Sequence, residues 1–210
     1  MKEVVLYDYW RSSASYRVRI ALNMLGIDYK TVSINLLEGA HKHPDYLALN
    51  PQGLVPTLVI DGRIMTQSLS IIEYLAEARP ERGLLPNEAE ARQRVRALAY
   101  AIAMDIHPIC NMHVAAHVMT LTDRTDAREE WMRHFILDGL RKLEAMLGEG
   151  EGAFSFGNTP TMADLCLVPQ VYNARRWGVD VTDFRRIVDI DDNCAELPAF
   201  QAAHPDWVKP

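Results

Sequence analysis

The stretch WRSSASYRVRIAL, residues 10–22, decides how the first part of the chain folds. It follows an apolar run at residues 4–7, so the sequence predicts a strand that ends at Tyr9, a short loop and then a helix. A helix N-terminus exposes unpaired N–H groups and carries partial positive charge, so a serine there is well placed to hold an anion. Serine at a helix start is also a common N-cap, and the stretch leaves both roles open.

Strand and helix signals follow one another in a regular order around this helix. They fall at residues 3–8, 13–26, 28–34, 54–60, 63–65 and from 67 onward, with a two-residue hairpin turn at Asp61-Gly62. The pattern predicts a β-α-β unit with parallel strands, followed by a β-β-α unit. Pro56 stands near the start of a strand, where it indicates a fixed turn, with either a cis bond or the ordinary trans bond.

The character of the sequence changes at residues 79–86, where prolines and a glycine interrupt the periodicity. Beyond them strand signals disappear, and the apolar spacing predicts helices at residues 88–117 (kinked near Pro108), 126–147 and 182–194. Thr161 and Asp164 have the spacing of a capping box and predict the start of another helix, buried on most sides. We therefore predict two domains, residues 1–81 and 87–210, joined by a linker at 82–86.

Composition and charge exclude several classes of function. The 210 residues carry a formal net charge of −6, which makes nucleic acid and anionic membrane surfaces unfavourable partners. No apolar run approaches the roughly 20 residues of a membrane span, and the N-terminus lacks the apolar segment and cleavage site of a signal peptide. The three cysteines and seven histidines show no metal-ligand spacing, so we expect reduced, buried thiols and no metal site.

Motifs spread over both halves of the chain carry a family resemblance. In chain order they are RSSASYRVRIAL, ALNPQGLVPTL, QSLSIIEYL, DIHPICN and FSFGNTPTMADLCLVPQVYNARRW. Together they resemble the zeta class of glutathione transferases, and the resemblance covers essentially the whole chain. It implies an α/β thioredoxin-like N-terminal domain, an all-α C-terminal helical domain and glutathione as cofactor. It also implies a homodimer in the cytoplasm that isomerises a small dicarboxylic cis-enedione, with maleylacetoacetate expected before maleylpyruvate.

The resemblance also implies which residues form the site. Ser12, with Ser13 beside it, is expected to hold the glutathione thiolate, and Arg11 is expected to take part in catalysis and contact the substrate. The other expected contacts for glutathione are His41, Gln52, Val55, Pro56, Gln67, Ser68, His107 and Asn111. Arg175 and Arg176 are expected to bind the carboxylates of the substrate, because a planar guanidinium can bind a carboxylate through two hydrogen bonds.

Some positions and activities leave alternatives open. Ala14 stands where the zeta class usually has a cysteine, which bears on the substrate preference that the resemblance implies. Met112 and His113 stand where some maleylpyruvate isomerases carry arginines, which favours maleylacetoacetate. The same activated thiolate would serve a transferase or dehalogenase that acts on small electrophiles such as α-haloacids. A non-enzymatic binding protein of this fold is disfavoured, since the serines, Val55-Pro56 and Gln67-Ser68 are all retained.

Overall fold

The computed structural model describes residues 3–210, which form two compact units. The first unit contains Met1–Leu84 together with Glu196–Pro210, and the second contains Leu85–Ala195. Residues 196–210 group with the first unit because part of this segment packs against the first helix. As functional domain boundaries the expected ranges stay a prediction. No helix in the described part of the chain is long and apolar enough to cross a membrane.

The first unit is built on a four-stranded sheet of order β2-β1-β3-β4. Its strands are β1 (Val5–Asp8), β2 (Lys30–Ser33), β3 (Thr57–Ile60) and β4 (Arg63–Thr66). β1 pairs in parallel with β2 and antiparallel with β3, and β3 pairs antiparallel with β4. The predicted parallel pair and the predicted hairpin are therefore confirmed, although the strands are shorter than most of their apolar runs.

The turn between β3 and β4 has the backbone that its residues favour. Asp61 and Gly62 take φ values of 52° and 78°, so both lie in the left-handed region. A two-residue hairpin with this pair of angles matches the right-handed twist of its strands, and Asp-Gly is a preferred sequence for it.

Helices make up most of the remaining structure. Along residues 3–210 they are α1 (Ser13–Met24), α2 (Pro44–Leu49), α3 (Ser68–Ala78), α4 (Ala89–Tyr100), α5 (Met112–Thr122), α6 (Ala127–Leu147), α7 (Met162–Arg176), α8 (Arg185–Ala195), α9 (Pro198–Ala203) and α10 (Pro205–Val208). Short 3-10 turns lie at Ala40–Lys42 and Pro80–Arg82, and a π-helical segment lies at Ala101–Ile106.

α1 is buried on all sides rather than along one stripe. The apolar residues Val18, Leu22 and Leu25 are buried, but so are Arg17 and Arg19, each only 1% exposed. The reason is that α1 packs against both α3 and α9, which cover its two flanks within the first unit. Polar atoms on this helix must therefore find partners inside the protein.

The helical run expected at residues 88–117 is interrupted just before Pro108. α4 continues into the π-helical segment, where the His107 N–H donates to the Ile102 carbonyl over 2.9 Å. Bonding to the fifth preceding residue widens the helix, and Pro108 has no N–H with which to continue it. The chain then turns, and α5 begins at Met112.

α7 begins at the capping residues that the sequence indicated. The Asp164 carboxylate accepts hydrogen bonds from the N–H groups of Thr161 and Ser155, each at 2.7 Å, and from the Thr161 hydroxyl at 3.1 Å. The side chain is fully buried, and this burial raises its pKa. The predicted helix start and the predicted burial of this helix are confirmed.

Candidate functional site

Ser12 caps the N-terminus of α1. Its φ and ψ, −71° and 121°, are extended, and its hydroxyl oxygen accepts a hydrogen bond from the Ser15 N–H at 3.3 Å. The Ser12 N–H donates to the Tyr9 carbonyl at 2.8 Å, which fixes the loop that leads into the helix. A hydroxyl has one proton to donate and two lone pairs, so Ser12 can cap the helix and still donate to an anion. Capping and anion binding are therefore compatible.

Arg11 and Ser13 lie on either side of this cap. Ser13 is buried and Ser12 is half-buried, so the Ser12 hydroxyl is the more accessible of the two. The Arg11 guanidinium donates to the Tyr9 hydroxyl at 3.3 Å and lies 5.0 Å from the centre of the Trp10 ring. A cation in this position adds to the positive end of the helix dipole and favours an anion there.

The turn before β3 is held by polar side chains. The Asn50 amide and the Tyr46 hydroxyl both donate to the Leu54 carbonyl, at 2.7 and 2.6 Å. The peptide bond between Val55 and Pro56 is cis. β3 begins one residue after Pro56, so Val55 lies outside the ladder and its peptide groups are not committed to the sheet.

Gln67 and Ser68 form the start of α3. Gln67 has a φ of 67°, an uncommon value for a residue with a side chain, which costs roughly 1–3 kcal/mol and is typical of functional positions. Its amide Nε2 donates to Oε1 of Gln52 at 2.8 Å. Ser68 is buried, and its hydroxyl accepts a hydrogen bond from Arg17 at 3.3 Å. The structure thus brings Gln52, Gln67 and Ser68 together at one helix N-terminus.

His41 lies in the 3-10 turn and packs against the segment that contains Gly53. A Cβ on Gly53 would lie 3.1 Å from the His41 carbonyl oxygen, and the φ of Gly53 is +61°, so glycine allows this close approach. The Nδ1 atom of His41 is buried and has no hydrogen-bond partner among the described residues. Burial, with a smaller contribution from the charge of Lys42, lowers the pKa of His41 and favours the neutral imidazole.

His107 and Asn111 belong to the second unit. His107 ends the π-helical segment, and Asn111 precedes α5 with an extended backbone and no hydrogen bond from its side chain to the cap. The turn between them is tied to α6 because the Trp131 indole N–H donates to the Ile109 carbonyl at 2.8 Å. Both side chains are half-buried on a short, well-anchored turn.

The two arginines at the end of α7 have different partners. Arg175 pairs with the carboxylate of Asp191 at 2.5 Å, where Arg175 is 50% and Asp191 9% exposed. Arg176 donates to the side-chain oxygen of Asn173 at 3.0 Å, and its guanidinium lies 5.2 Å from the centre of the Trp177 ring. The carboxylate of Asp191 offsets the charge of Arg175.

Sequence reasoning missed three charged residues that support the N-terminal site. Arg17 reaches the start of α3, and Arg19 pairs with Asp8 and donates to the carbonyl of Trp10. These side chains received no role from the sequence, since arginine in a helix usually lies on a solvated face. The available signal is the spacing Arg17-Val18-Arg19 inside an otherwise apolar helix, because one of two charges at that spacing must lie near the buried face.

No group of three or more His, Cys, Asp or Glu side chains within residues 3–210 is placed to hold a metal ion. Cys110, Cys166 and Cys194 are free and buried, as the sequence predicts. Burial raises the pKa of Cys110 to about 11, which favours an unreactive thiol.

Comparison with known sequences identifies both halves of the chain. The family model described as "Glutathione S-transferase, N-terminal domain" matches residues 6–83, and the one described as "Glutathione S-transferase, C-terminal domain" matches residues 125–205. The chain is 61% identical over 210 residues to a maleylacetoacetate isomerase of Rhizobium meliloti (strain 1021), and the match covers 99% of both chains.

Solved structures show the same fold. A maleylpyruvate isomerase, described as a bacterial glutathione S-transferase of the zeta class in its holo form, has a TM-score of 0.94 and 42% identity over 98% of both chains. A maleylacetoacetate isomerase from Anaeromyxobacter dehalogenans 2CP-1 has a TM-score of 0.87 and 39% identity over 99% of this chain and 96% of that chain. That structure contains dicarboxyethyl glutathione and citrate in its active site.

Proposed function

The chain belongs to the glutathione S-transferase family, and we propose that it is a zeta-class isomerase that converts maleylacetoacetate with glutathione as cofactor. The observation that carries the proposal is the half-buried Ser12 hydroxyl at the N-terminus of α1, in a chain 61% identical to a maleylacetoacetate isomerase. The 61% identity to a maleylacetoacetate isomerase favours maleylacetoacetate as the substrate.

The residues of the first unit fit the chemistry of glutathione. Glutathione carries two carboxylates and a thiol, and the unit offers two helix N-termini, those of α1 and α3, that favour anions. Its cysteinyl peptide suits Val55, whose peptide groups lie outside the ladder, as in binding by strand addition. The buried Nδ1 of His41 is a polar atom without a partner among the described residues, which fits a contact at the glycyl end.

Ser12 has the central role in the proposal. When bound, glutathione supplies a thiolate that adds reversibly to the cis double bond and so permits rotation to the trans form. A free thiol of this kind has a pKa of about 8.5, so only a small part is ionised at neutral pH. The Ser12 hydroxyl, the dipole of α1 and the charge of Arg11 all favour the ionised form and hold it in place.

Arginines provide the specificity for a dicarboxylate. We assign Arg11 to one carboxylate, because it has no acidic partner within residues 3–210 and lies beside Ser12. We assign Arg176 rather than Arg175 to substrate binding, because the charge of Arg175 is already paired with Asp191. Ser13, Gln52, Pro56, Gln67, Ser68, His107 and Asn111 complete the proposed set of site residues.

Location and assembly belong to the same proposal. We propose a cytoplasmic protein, which is supported by three free cysteines rather than disulfides. We also propose a homodimer, which the family resemblance and the exposed edge strand β4, with Ile64 50% exposed, support. Analytical ultracentrifugation of the purified protein tests the dimer, and a monomer at micromolar concentration would contradict it.

The decisive experiment follows the isomerisation directly. Purified protein is incubated with maleylacetoacetate, with maleylpyruvate or with an α-haloacid, each with and without glutathione, while substrate loss and product are measured. We expect glutathione-dependent isomerisation, faster with maleylacetoacetate, and no net consumption of glutathione. Stoichiometric consumption with the haloacid alone would assign the protein to the transferases or dehalogenases. Binding of glutathione without any turnover would assign it to the binding proteins.

A further inference from the structure

The two buried arginines of α1 are not explained by glutathione or substrate binding, and the partners of Arg19 connect it to the loop before Ser12. All three guanidinium nitrogens of Arg19 donate hydrogen bonds, and Nη1 donates to the two carboxylate oxygens of Asp8 at 2.9 and 2.8 Å. Nη2 donates to the Trp10 carbonyl at 2.9 Å, and Nε donates to the Ala203 carbonyl at 3.0 Å. The guanidinium also lies 5.2 Å from the centre of the Tyr16 ring. One side chain thus joins the end of β1, the loop before Ser12 and α9.

The hydrogen bond from Arg19 to the Trp10 carbonyl restrains the backbone just before Ser12. Trp10 immediately precedes Arg11 and Ser12, and its peptide group sets the direction in which both residues leave β1. A planar guanidinium has fixed donor directions, so a bond from Nη2 limits how far the Trp10 peptide can rotate. The ion pair with Asp8 holds the same guanidinium rigidly, with both side chains almost fully buried.

The C-terminal segment, Glu196–Pro210, also contacts α1 and the loop before Ser12. Besides the Ala203 carbonyl that accepts from Arg19, the Ala199 carbonyl accepts from Asn23 of α1 at 3.1 Å. The ammonium group of Lys209 lies 5.4 Å from the centre of the Trp10 ring. The last residues of the chain therefore contact the same loop that carries Ser12.

We propose that Arg19 is a positioning residue that sets the Trp10-Arg11-Ser12 loop against the C-terminal segment and so keeps the Ser12 hydroxyl directed at the thiolate. This inference rests on the proposed function, in which Ser12 holds the glutathione thiolate. Arg19 itself touches neither cofactor nor substrate in this assignment. Its effect passes through the Trp10 peptide, and a displacement of about 1 Å at a reacting group can lower a rate by about a hundredfold.

The test replaces the guanidinium but keeps its charge. In Arg19→Lys the ammonium still compensates the buried Asp8 carboxylate, but one nitrogen cannot donate in the three directions that the guanidinium uses. The readouts are the pKa of the thiol of bound glutathione, from its ultraviolet absorbance against pH, and kcat/KM for the isomerisation. We expect the thiol pKa to rise and kcat/KM to fall by about tenfold or more.

A matched control separates positioning from stability. Asn23→Ala removes a hydrogen bond between α1 and the C-terminal segment but leaves every contact of Trp10 in place. We expect lower thermal stability in this variant with the thiol pKa of the wild type. If Arg19→Lys does not fold, the double variant Asp8→Asn with Arg19→Gln takes its place, because it removes the guanidinium and leaves no buried charge unpaired.

The outcomes separate this inference from the proposed function. Arg19→Lys with a wild-type thiol pKa and wild-type kcat/KM, and only reduced stability, would show that the residue is structural. An equal rise of the thiol pKa in Asn23→Ala and in Arg19→Lys would also overturn the inference. Weaker packing between α1 and the C-terminal segment would then explain both variants. A wild-type protein that ionises bound glutathione without isomerising any substrate would overturn the function alone, since the thiol pKa still reports on Arg19.

Discussion

The N-termini of α1 and α7 are built from similar residues and are used differently. The N-cap of α1 is Ser12, a neutral residue whose hydroxyl accepts one hydrogen bond at 3.3 Å and keeps its own proton to donate. The N-cap of α7 is Thr161, and there the carboxylate of Asp164 accepts three hydrogen bonds and occupies the place that an anion would take. A helix N-terminus is available to a ligand when its cap is neutral and accessible, and closed when a buried carboxylate already fills it.

The largest expected effect concerns the N-terminus of α7, which is filled by the Asp164 carboxylate. In Asp164→Ala the N–H groups of Thr161 and Ser155 and the Thr161 hydroxyl lose their acceptor in a buried place, so the free energy of unfolding should fall by about 3 kcal/mol or more. Urea unfolding followed by circular dichroism measures this. The control is Asp180→Ala, which removes the same two kinds of bond to Thr182 at an exposed site and should leave the midpoint close to that of the wild type. Equal losses in both variants would contradict the distinction.

The next largest effect concerns the N-terminus of α1, and we expect it in catalysis rather than in stability. Ser12→Ala should lower kcat/KM for the isomerisation well beyond about tenfold, because it removes a donor to a negative charge. Loss of the cap should cost only about 1 kcal/mol of stability. Steady-state kinetics and urea unfolding of the same preparation test both parts. Ser15→Ala, in the same helical turn, keeps the capped N–H and should retain wild-type kinetics. An unchanged rate in Ser12→Ala would transfer the role of the hydroxyl to Ser13.

The smallest effect concerns the opposite end of α7, where the helix dipole favours cations. Arg176→Met should raise KM for the dicarboxylate by about tenfold with little change in kcat, as expected for loss of one charged hydrogen bond in the ground state. Arg175→Met should leave KM unchanged and lower stability, because it removes the ion partner of Asp191. Initial rates over a range of substrate concentrations distinguish the two variants. A raised KM in Arg175→Met alone would reverse the assignment.

Local pattern was sufficient for much of the fold. The hairpin at Asp61-Gly62 followed from turn chemistry, and the start of α7 followed from the spacing of Thr161 and Asp164. The break near Pro108 was also predicted, but not the π-helical segment Ala101–Ile106 before it. In a π-helical segment the backbone hydrogen bonds change from i−4 to i−5. The spacing of apolar residues did not reveal that change.

The site was harder to predict than the fold. Family resemblance pointed to Ser12, Gln67 and Ser68, but the contacts around them depend on residues distant in the chain. Arg17 contributes to the start of α3 from 51 positions away, and Arg19 contacts a carbonyl 184 positions away. No local pattern contains these pairs, because they form only when α1 is enclosed by α3 and α9.

By itself, the sequence determined the β-α-β and β-β-α succession of the first unit, the turn at β3–β4 and the residues that begin α1, α3 and α7, because each of these depends on short-range backbone chemistry. It also indicated the family, because the motifs that carry the resemblance are spread over the whole chain. Only the tertiary structure decided that the arginines of α1 lie inside the protein, that Arg175 is paired with Asp191, and that the end of the chain packs on the first unit. The physical reason is that a charge can be buried only where distant parts of the chain supply its partners. Those partners exist only in the folded protein.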